Sequence, residues 1–159
     1  MNMPRRLVTR LLSPAEVRST IPASPADVYA VLSDPATYPE WLTGAQHIRH
    51  VDPDFPRAGT GFDHEVGPSE AITVADDSEA LIDDPPNRLQ LEVHVGPVTG
   101  LVDFQLHATG EGTEVVFRES VTGRLGLAMP ALRGLIHARN RASLERLKAR
   151  LGPLIIPLG

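Results

Sequence analysis

Near its middle the chain reads Arg88-Leu89-Gln90-Leu91-Glu92-Val93-His94-Val95, in which polar and apolar residues alternate without a break. Successive side chains of a β-strand point to opposite faces, so this period of two predicts a strand with one buried and one solvated face. Such strands are typical of antiparallel sheets, because parallel sheets are usually covered on both faces. The segment therefore predicts an antiparallel sheet that is packed on one side only.

Alternation of the same kind continues towards the C-terminus. Its apolar members are Val102, Phe104 and Leu106 in one stretch and Val115 and Phe117 in the next. Turns that contain glycine or proline separate the stretches, and short connections favour antiparallel pairing of neighbours as a meander. Working outward in both directions, we predict strands at residues 16–21, 46–52, 60–66, 70–76, 78–84, 88–95, 99–108 and 113–122. Alternatively, residues 70–84 form one long bulged strand.

A long amphipathic helix is predicted from Met129 to Leu151, where Gly152 and Pro153 end it. Helical spacing places one set of its side chains within about 100° of arc, which is the width of a face that packs on a core. That face consists of Met129, Leu132, Ile136, Asn140, Ser143, Leu147 and Leu151. We expect this face to lie against the sheet.

Two short helices are predicted after the first strand. Ser24 is suited to the N-cap of the first helix and Pro25 to its first position. The second helix covers residues 35–42 and carries Tyr38 and Trp41 three positions apart, on one face.

Together these elements predict an α+β fold. A curved antiparallel sheet of about seven strands wraps around the long C-terminal helix, and the two short helices cap it. Because a curved sheet cannot lie flat on a long helix over its whole length, we expect a cavity between them. Residues 1–13 are predicted to be a flexible lead-in, 14–152 the ligand-binding domain and 153–159 a tail.

Composition excludes several classes of protein. The 159 residues contain no cysteine, which excludes a disulfide scaffold and thiolate metal sites. A net charge of −5, from 15 basic and 20 acidic residues, argues against broad nucleic-acid binding. No zinc, phosphate-loop or nucleophile-elbow motif is present in the sequence, so we expect neither metal nor cofactor.

Location and assembly follow from similar observations. No apolar run is long enough to span a bilayer, and Arg10 interrupts the N-terminal stretch where a secretory signal needs an apolar core. We therefore expect a cytoplasmic protein. We also expect a monomer or a weak homodimer.

Charge is unevenly distributed along the sequence. Residues 52–84 carry ten acidic groups, and residues 124–150 carry seven basic ones. This distribution predicts an acidic sheet region and a basic outer helix face.

Five segments in this order resemble the helix-grip domains of the START and Bet v 1-like superfamily (SRPBCC), and within it the polyketide cyclase/dehydrase-like group. The resemblance covers about residues 14–151. It is carried by Ser24–Pro35, Tyr38-Pro39-Glu40-Trp41, Asp83-Asp84-Pro85-Pro86-Asn87-Arg88-Leu89, Gly112-Thr113-Glu114-Val115 and Arg141–Lys148. It implies a lipid-like, polyketide-like or aromatic ligand. Function varies widely on this scaffold, so the resemblance does not identify the ligand or the site.

Inward positions of the predicted elements supply the candidate cavity residues. They are Val31, Trp41, Phe62, His64, Leu91, Val93, Phe104, Phe117, Glu119, Ile136 and Asn140. His64 is on the same strand face as Phe62, so it points into the cavity if Phe62 does, although a solvated position is an equal alternative. Glu119 interrupts an apolar inward series and needs a cationic partner such as Arg139 if it is buried. Asn140 then completes a polar cluster at one end of the cavity, with a purely structural helix-to-strand hydrogen bond as the alternative.

Three functions remain open on this basis. The leading hypothesis is a domain that binds a small hydrophobic molecule between sheet and helix. The first alternative is an aromatase/cyclase-type enzyme in which Glu119 and His64 move protons. The second is a regulatory domain that binds a protein partner and no ligand, which a cavity filled by side chains would favour.

Overall fold

The structure is a computed structural model that describes residues 13–69 and 71–152. Apart from Ser13, the predicted lead-in lies outside the described residues, as does the predicted tail. The elements in chain order are β1 (Ala15–Ile21), α1 (Pro25–Leu32), a 3-10 turn (Pro35–Thr37), α2 (Tyr38–Trp41), β2 (Ala45–Val51), β3 (Gly61–Ser69), β4 (Ile72–Asp84), β5 (Arg88–Val95), β6 (Val98–Thr109), β7 (Gly112–Thr122), a second 3-10 helix (Gly123–Ala128) and α3 (Met129–Leu151).

Seven antiparallel strands form one sheet in the order β1-β7-β6-β5-β4-β3-β2. From β2 to β7, strands that are consecutive in the chain are neighbours in the sheet. The first strand, β1, pairs with the last strand, β7. Register matches the predicted alternation, because Leu91 lies opposite Val102 and Phe104 lies opposite Phe117. The predicted α+β class, the curved sheet of about seven strands and the two short helices after β1 are confirmed.

Strand β4 is a single strand of 13 residues, so the alternative prediction for residues 70–84 is the correct one. Its pairing with β5 shifts between Ala80 and Ile82, as expected for a bulge. Two polar residues of β4, Asp76 and Ser78, are buried.

Helix α3 buries the face that its sequence predicts. Its buried residues are Met129, Ile136, Asn140, Ser143, Leu144 and Leu147. Leu144 and Leu147 join the main core, which the sheet forms together with α1 and α2. Met129 and Ile136 instead pack with Ala15 in a separate, smaller cluster. The two halves of the helix therefore meet different parts of the fold.

The short helices are fixed by their own capping and core contacts. The hydroxyl of Ser24 accepts a hydrogen bond from the backbone N–H of Asp27 at 3.1 Å, which caps α1 as predicted. In α2, Trp41 is fully buried, and its indole N–H donates to the hydroxyl of Thr37 at 3.1 Å. No helix within residues 13–69 and 71–152 is long and apolar enough to cross a membrane.

Candidate functional site

A cavity of about 520 Å³ lies inside the curve of the sheet. Cavities that hold small molecules usually measure roughly 300–1,000 Å³. The walls come mainly from the inward positions of β3 to β7 and from the segment Tyr38–Ala45. The lining residues are Tyr38, Trp41, Leu42, Thr43, Gly44, Ala45, Phe62, His64, Val66, Gly67, Val74, Asp76, Ser78, Leu91, Val93, Val95, Val102, Phe104, Phe117, Glu119 and Arg139.

Most of the predicted site residues are on this wall. They are Trp41, Phe62, His64, Leu91, Val93, Phe104, Phe117 and Glu119. His64 therefore points inward together with Phe62, and its ring centroid lies 5.1 Å from that of Phe62. Aromatic contacts continue along the wall, where Phe104 stacks on Phe117 with 4.4 Å between ring centroids.

Three predicted residues do not line the cavity, so their assignment as lining residues is wrong. Val31 is half-buried and packs from α1 against the main core. Ile136 packs in the small cluster with Ala15 and Met129. Helical periodicity shows which side of a helix is buried but not which neighbour that side meets. Asn140, the third residue, lies behind the wall.

Asn140 is hydrogen-bonded to a cavity-lining residue, Glu119. Its side-chain amide donates to Oε2 of Glu119 at 2.8 Å, and the guanidinium of Arg139 donates to Oε1 of the same carboxylate. The predicted polar cluster of Glu119, Arg139 and Asn140 is therefore present, with Glu119 and Arg139 on the wall. Asn140 makes a helix-to-strand hydrogen bond, as the structural alternative proposed.

A second polar group on the wall was not predicted. Nε2 of His64 lies 2.7 Å from Oδ2 of Asp76, and the two residues are directly paired across β3 and β4. The side chains are only 4% and 1% exposed. Asp76 belongs to the predicted acidic sheet region of residues 52–84, but its burial was not predicted. The sequence does contain a signal for this burial. Asp76, Ser78 and the apolar Ala80 are alternate residues of one strand, so their side chains lie on the same face.

Burial sets the electrostatics of this pair. Removal from water raises the pKa of the Asp76 carboxyl, and the hydrogen bond from His64 acts in the opposite direction. Burial likewise raises the pKa of the Tyr38 phenol, which lines the same cavity. The described residues contain no group of three or more His, Asp or Glu side chains placed to hold a metal ion.

Several buried polar atoms of the lining residues have no hydrogen-bond partner within the described part of the chain. They are Nδ1 of His64, Oδ1 of Asp76, Oγ of Ser78 and Oγ1 of Thr43. Buried polar atoms are nearly always paired in folded proteins, because leaving one unpaired costs roughly 1–3 kcal/mol. The cavity wall thus combines an apolar surface with a small number of unused hydrogen-bonding groups.

The fold recurs in solved structures of other proteins. Protein CV1439 of Chromobacterium violaceum is 17% identical, with a TM-score of 0.74 over 89% of this chain and 98% of its own. A Rhodobacter sphaeroides protein is 22% identical, with a TM-score of 0.74 over 90% and 94% of the two chains. DynU16, from the dynemicin biosynthetic locus, is 22% identical, with a TM-score of 0.65 over 87% of this chain and 47% of its own.

These identities are low, so the three structures support the fold alone. At the level of sequence, no curated protein matches the chain. A family model, described as polyketide cyclase / dehydrase and lipid transport, matches residues 14–152. That range contains the whole sheet, the cavity wall and α3. The chain therefore belongs to the polyketide cyclase/dehydrase and lipid transport family, as its resemblance to the SRPBCC superfamily predicted.

Proposed function

We propose that this protein binds a small, mostly apolar molecule in the cavity between its sheet and α3. The observation that carries the proposal is the cavity itself, with about 520 Å³ of space behind a largely hydrophobic wall. Membership of a family described by cyclase, dehydrase and lipid-transport functions supports a ligand of this kind.

Apolar contact supplies most of the expected affinity. Leu91, Val93, Val102 and Phe104 present a continuous apolar surface across β5 and β6. Each Å² of apolar ligand surface removed from water contributes about 25 cal/mol, against the entropy that the ligand loses on binding. Because the wall belongs to paired strands of one sheet, it is held in place before the ligand arrives.

A pair of variants at neighbouring positions of β6 tests the proposal. Val102 lines the cavity, whereas the side chain of Leu101 points to the opposite face of the strand. Binding of the neutral fluorescent probe N-phenyl-1-naphthylamine is measured in the wild type, in Val102→Phe and in Leu101→Phe. We expect saturable binding that is weakened about tenfold or more by Val102→Phe, because the added atoms overfill the site, and is little changed by Leu101→Phe. Absence of binding, or equal affinity in all three proteins, would contradict the proposal.

An acid/base enzyme of the aromatase/cyclase type is the second candidate. The observation that favours it is the buried His64–Asp76 pair on the cavity wall, where Nδ1 of the imidazole is unused within the described protein. An imidazole oriented by a carboxylate is a common general base, provided that it lies within hydrogen-bond reach of the proton that it removes. Glu119, the other predicted acid/base group, is held by Arg139 and Asn140 instead.

Proton exchange distinguishes the enzyme from a binding protein. The probe is benzoylacetone, in which the carbon between the two carbonyls exchanges its hydrogen for deuterium. Acceleration of this exchange by the wild type, together with its loss in His64→Gln, is expected of the enzyme. Binding of the probe without acceleration is expected of a binding protein. A cavity filled by side chains would favour the regulatory alternative, and the cavity of about 520 Å³ does not give that support.

A further inference from the structure

His64, Asp76 and Ser78, here called the polar subsite, line an otherwise mostly apolar cavity, and each has one buried side-chain atom with no hydrogen-bond partner within the described residues. We propose that the polar subsite receives a hydroxyl group of the ligand, which donates its hydrogen bond to Nδ1 of His64. The ligand class is then a neutral, hydroxylated hydrophobic molecule. This inference rests on the proposed binding function and adds to it the ligand group that is recognised.

The strand register brings the three residues together. His64 and Asp76 are paired directly across β3 and β4, and Ser78 is two positions further along β4, on the same face. Ser78 in turn lies opposite Phe62 on β3 and Val93 on β5, both of which line the cavity. The polar subsite is therefore surrounded by apolar and aromatic wall.

The hydrogen bond to Asp76 determines what Nδ1 of His64 can do. With Asp76 ionised and His64 neutral, Nε2 of His64 carries the proton that is shared with Oδ2 of Asp76, because an ionised carboxylate only accepts hydrogen bonds. In a neutral imidazole the other ring nitrogen is then an acceptor. Oδ1 of Asp76 is a second unused acceptor. Two acceptors on one patch of wall call for a ligand group that donates.

A hydroxyl group fits this patch better than the other common donors. A protonated amine would have to leave water for a cavity of mostly apolar lining, which is far more costly than moving a neutral hydroxyl there. A hydroxyl also retains lone pairs, so it can accept a hydrogen bond as well as donate one, and the hydroxyl of Ser78 has no partner in the described protein.

The same residues are difficult to explain by stability alone. Asp76 and His64 are almost fully buried, yet each leaves one polar atom unpaired within the described residues. Buried polar side-chain atoms usually have a partner. Besides the polar subsite, the unpaired ones among the described residues are Oγ1 of Thr43, which also lines the cavity, and Oδ1 of Asn140, which does not. In the polar subsite, Nε2 of His64 and Oδ2 of Asp76 are hydrogen-bonded to each other, whereas Nδ1 of His64 and Oδ1 of Asp76 have no partner within the described residues.

Matched probes that compete with N-phenyl-1-naphthylamine test the inference. They are 2-naphthol, which carries a hydroxyl, its methyl ether 2-methoxynaphthalene, which cannot donate, the parent naphthalene, and 2-naphthylmethylammonium, which is cationic. In the wild type we expect 2-naphthol to bind about three- to tenfold more tightly than the ether, which is the range for one net hydrogen bond.

His64→Gln is the decisive variant. The side-chain amide of glutamine can reach the position of Nε2 and keep the hydrogen bond to Asp76, but it places no atom at Nδ1. We expect this variant to bind 2-naphthol and the ether equally while it still binds naphthalene. Ser78→Ala provides a second, milder change, which reduces the preference by about two- to threefold and leaves the His64–Asp76 pair intact.

The outcomes separate this inference from the proposed function. If naphthalene binds but 2-naphthol is not preferred, or if the preference survives in His64→Gln, the inference is wrong and the binding function stands. Tighter binding of the ether or of the ammonium probe overturns the inference in the same way. If none of the probes binds to the wild type, both proposals fail together.

Discussion

The side-chain amide of Asn140 donates a 2.8 Å hydrogen bond to Oε2 of Glu119, which joins the middle of α3 to β7 beside the cavity. Arg139, the preceding residue of the helix, holds the other oxygen of the same carboxylate. Two consecutive helical residues therefore position a single group of the cavity wall. This relationship gives the first prediction.

Asn140→Leu should destabilise the fold and disturb the wall. Asn140 is 1% exposed, and its loss removes one buried hydrogen bond and leaves Oε2 of Glu119 without that donor. We expect the free energy of unfolding to fall by about 1–3 kcal/mol. Urea denaturation measures the change, and Arg141→Leu, at an exposed neighbouring position of the helix, is the control.

Glu119 and Asn140 are also predicted to matter for binding. If their cluster orients the ligand, Glu119→Gln and Asn140→Leu should each weaken binding of N-phenyl-1-naphthylamine or of its competitors by several-fold. Because Glu119→Gln keeps the size of the side chain, it separates charge from packing. Unchanged affinities in both variants would remove the cluster from the binding site.

Asp76→Asn should stabilise the protein at neutral pH. The pKa of Asp76 is raised in the fold, chiefly by burial, so its ionised form is disfavoured there relative to the unfolded chain. For a carboxyl group with a raised pKa, the associated stability is present below the unfolded value of 3.8 and is lost as pH rises through the folded pKa. Asparagine is never charged and avoids this loss.

We expect this variant to gain on the order of 1 kcal/mol at pH 7, because replacing a buried ion can be favourable when its partner remains hydrogen-bonded. Thermal unfolding between pH 4 and pH 8 measures the difference, which should shrink towards the acidic end. Asp54→Asn, at an exposed aspartate, is the control. A lower stability of Asp76→Asn at pH 7 would show that the pair with His64 stabilises the fold more than burial of the charge destabilises it.

His94 should contribute a small stabilisation that depends on pH. Its Nδ1 lies 2.9 Å from Oδ2 of Asp77 and its Nε2 lies 3.0 Å from Oε1 of Glu92. The hydrogen bond to Asp77, followed by that to Glu92, raises the pKa of His94 above its usual value of 6.5. Stability from a raised histidine pKa is fully present below 6.5 and is lost as pH rises through the folded pKa.

His94→Gln should therefore cost a few tenths of a kcal/mol at pH 6 and almost nothing at pH 9, since this group is partly exposed and its pairs are screened by solvent. Denaturant unfolding at the two pH values measures the effect. His107→Gln, at an exposed position of β6, is the comparison. An equal loss of stability at both pH values would show that the effect does not come from the positive charge of His94.

Trp41 provides a direct optical report on the cavity. It is the single tryptophan of the chain, it is fully buried, and it lines the cavity together with Tyr38 and Phe104. We expect a bound N-phenyl-1-naphthylamine molecule to receive excitation energy from Trp41 and to lose this transfer when a competitor displaces it. Probe fluorescence without quenching of Trp41 would place the probe elsewhere on the surface.

The sequence was sufficient for the architecture because period-two alternation in β5, β6 and β7 and the capped helices are local signals. It was also sufficient for the cluster at Glu119, where a charged residue interrupts an apolar series beside a long helix that carries Arg139. Both conclusions depend only on which face of an element is buried, and this can be read from spacing.

The His64–Asp76 pair could not be found in the same way. Its two members belong to different strands, and they meet only through the register of β3 on β4. Register depends on the turn and on irregularities, such as the shift between Val66 and Ser69, that periodicity does not reveal. Val31 and Ile136 lie on the buried sides of their helices, but helical periodicity does not show which neighbours those sides meet.

Native mass spectrometry of the protein purified from its own host tests directly whether the cavity holds a ligand. We expect a non-covalent adduct of one small molecule per chain, which is released on denaturation and is diminished in Val102→Phe but not in Leu101→Phe. A wild-type protein that has only the mass of the bare chain, and that retains none of the added N-phenyl-1-naphthylamine under the same conditions, would contradict this expectation.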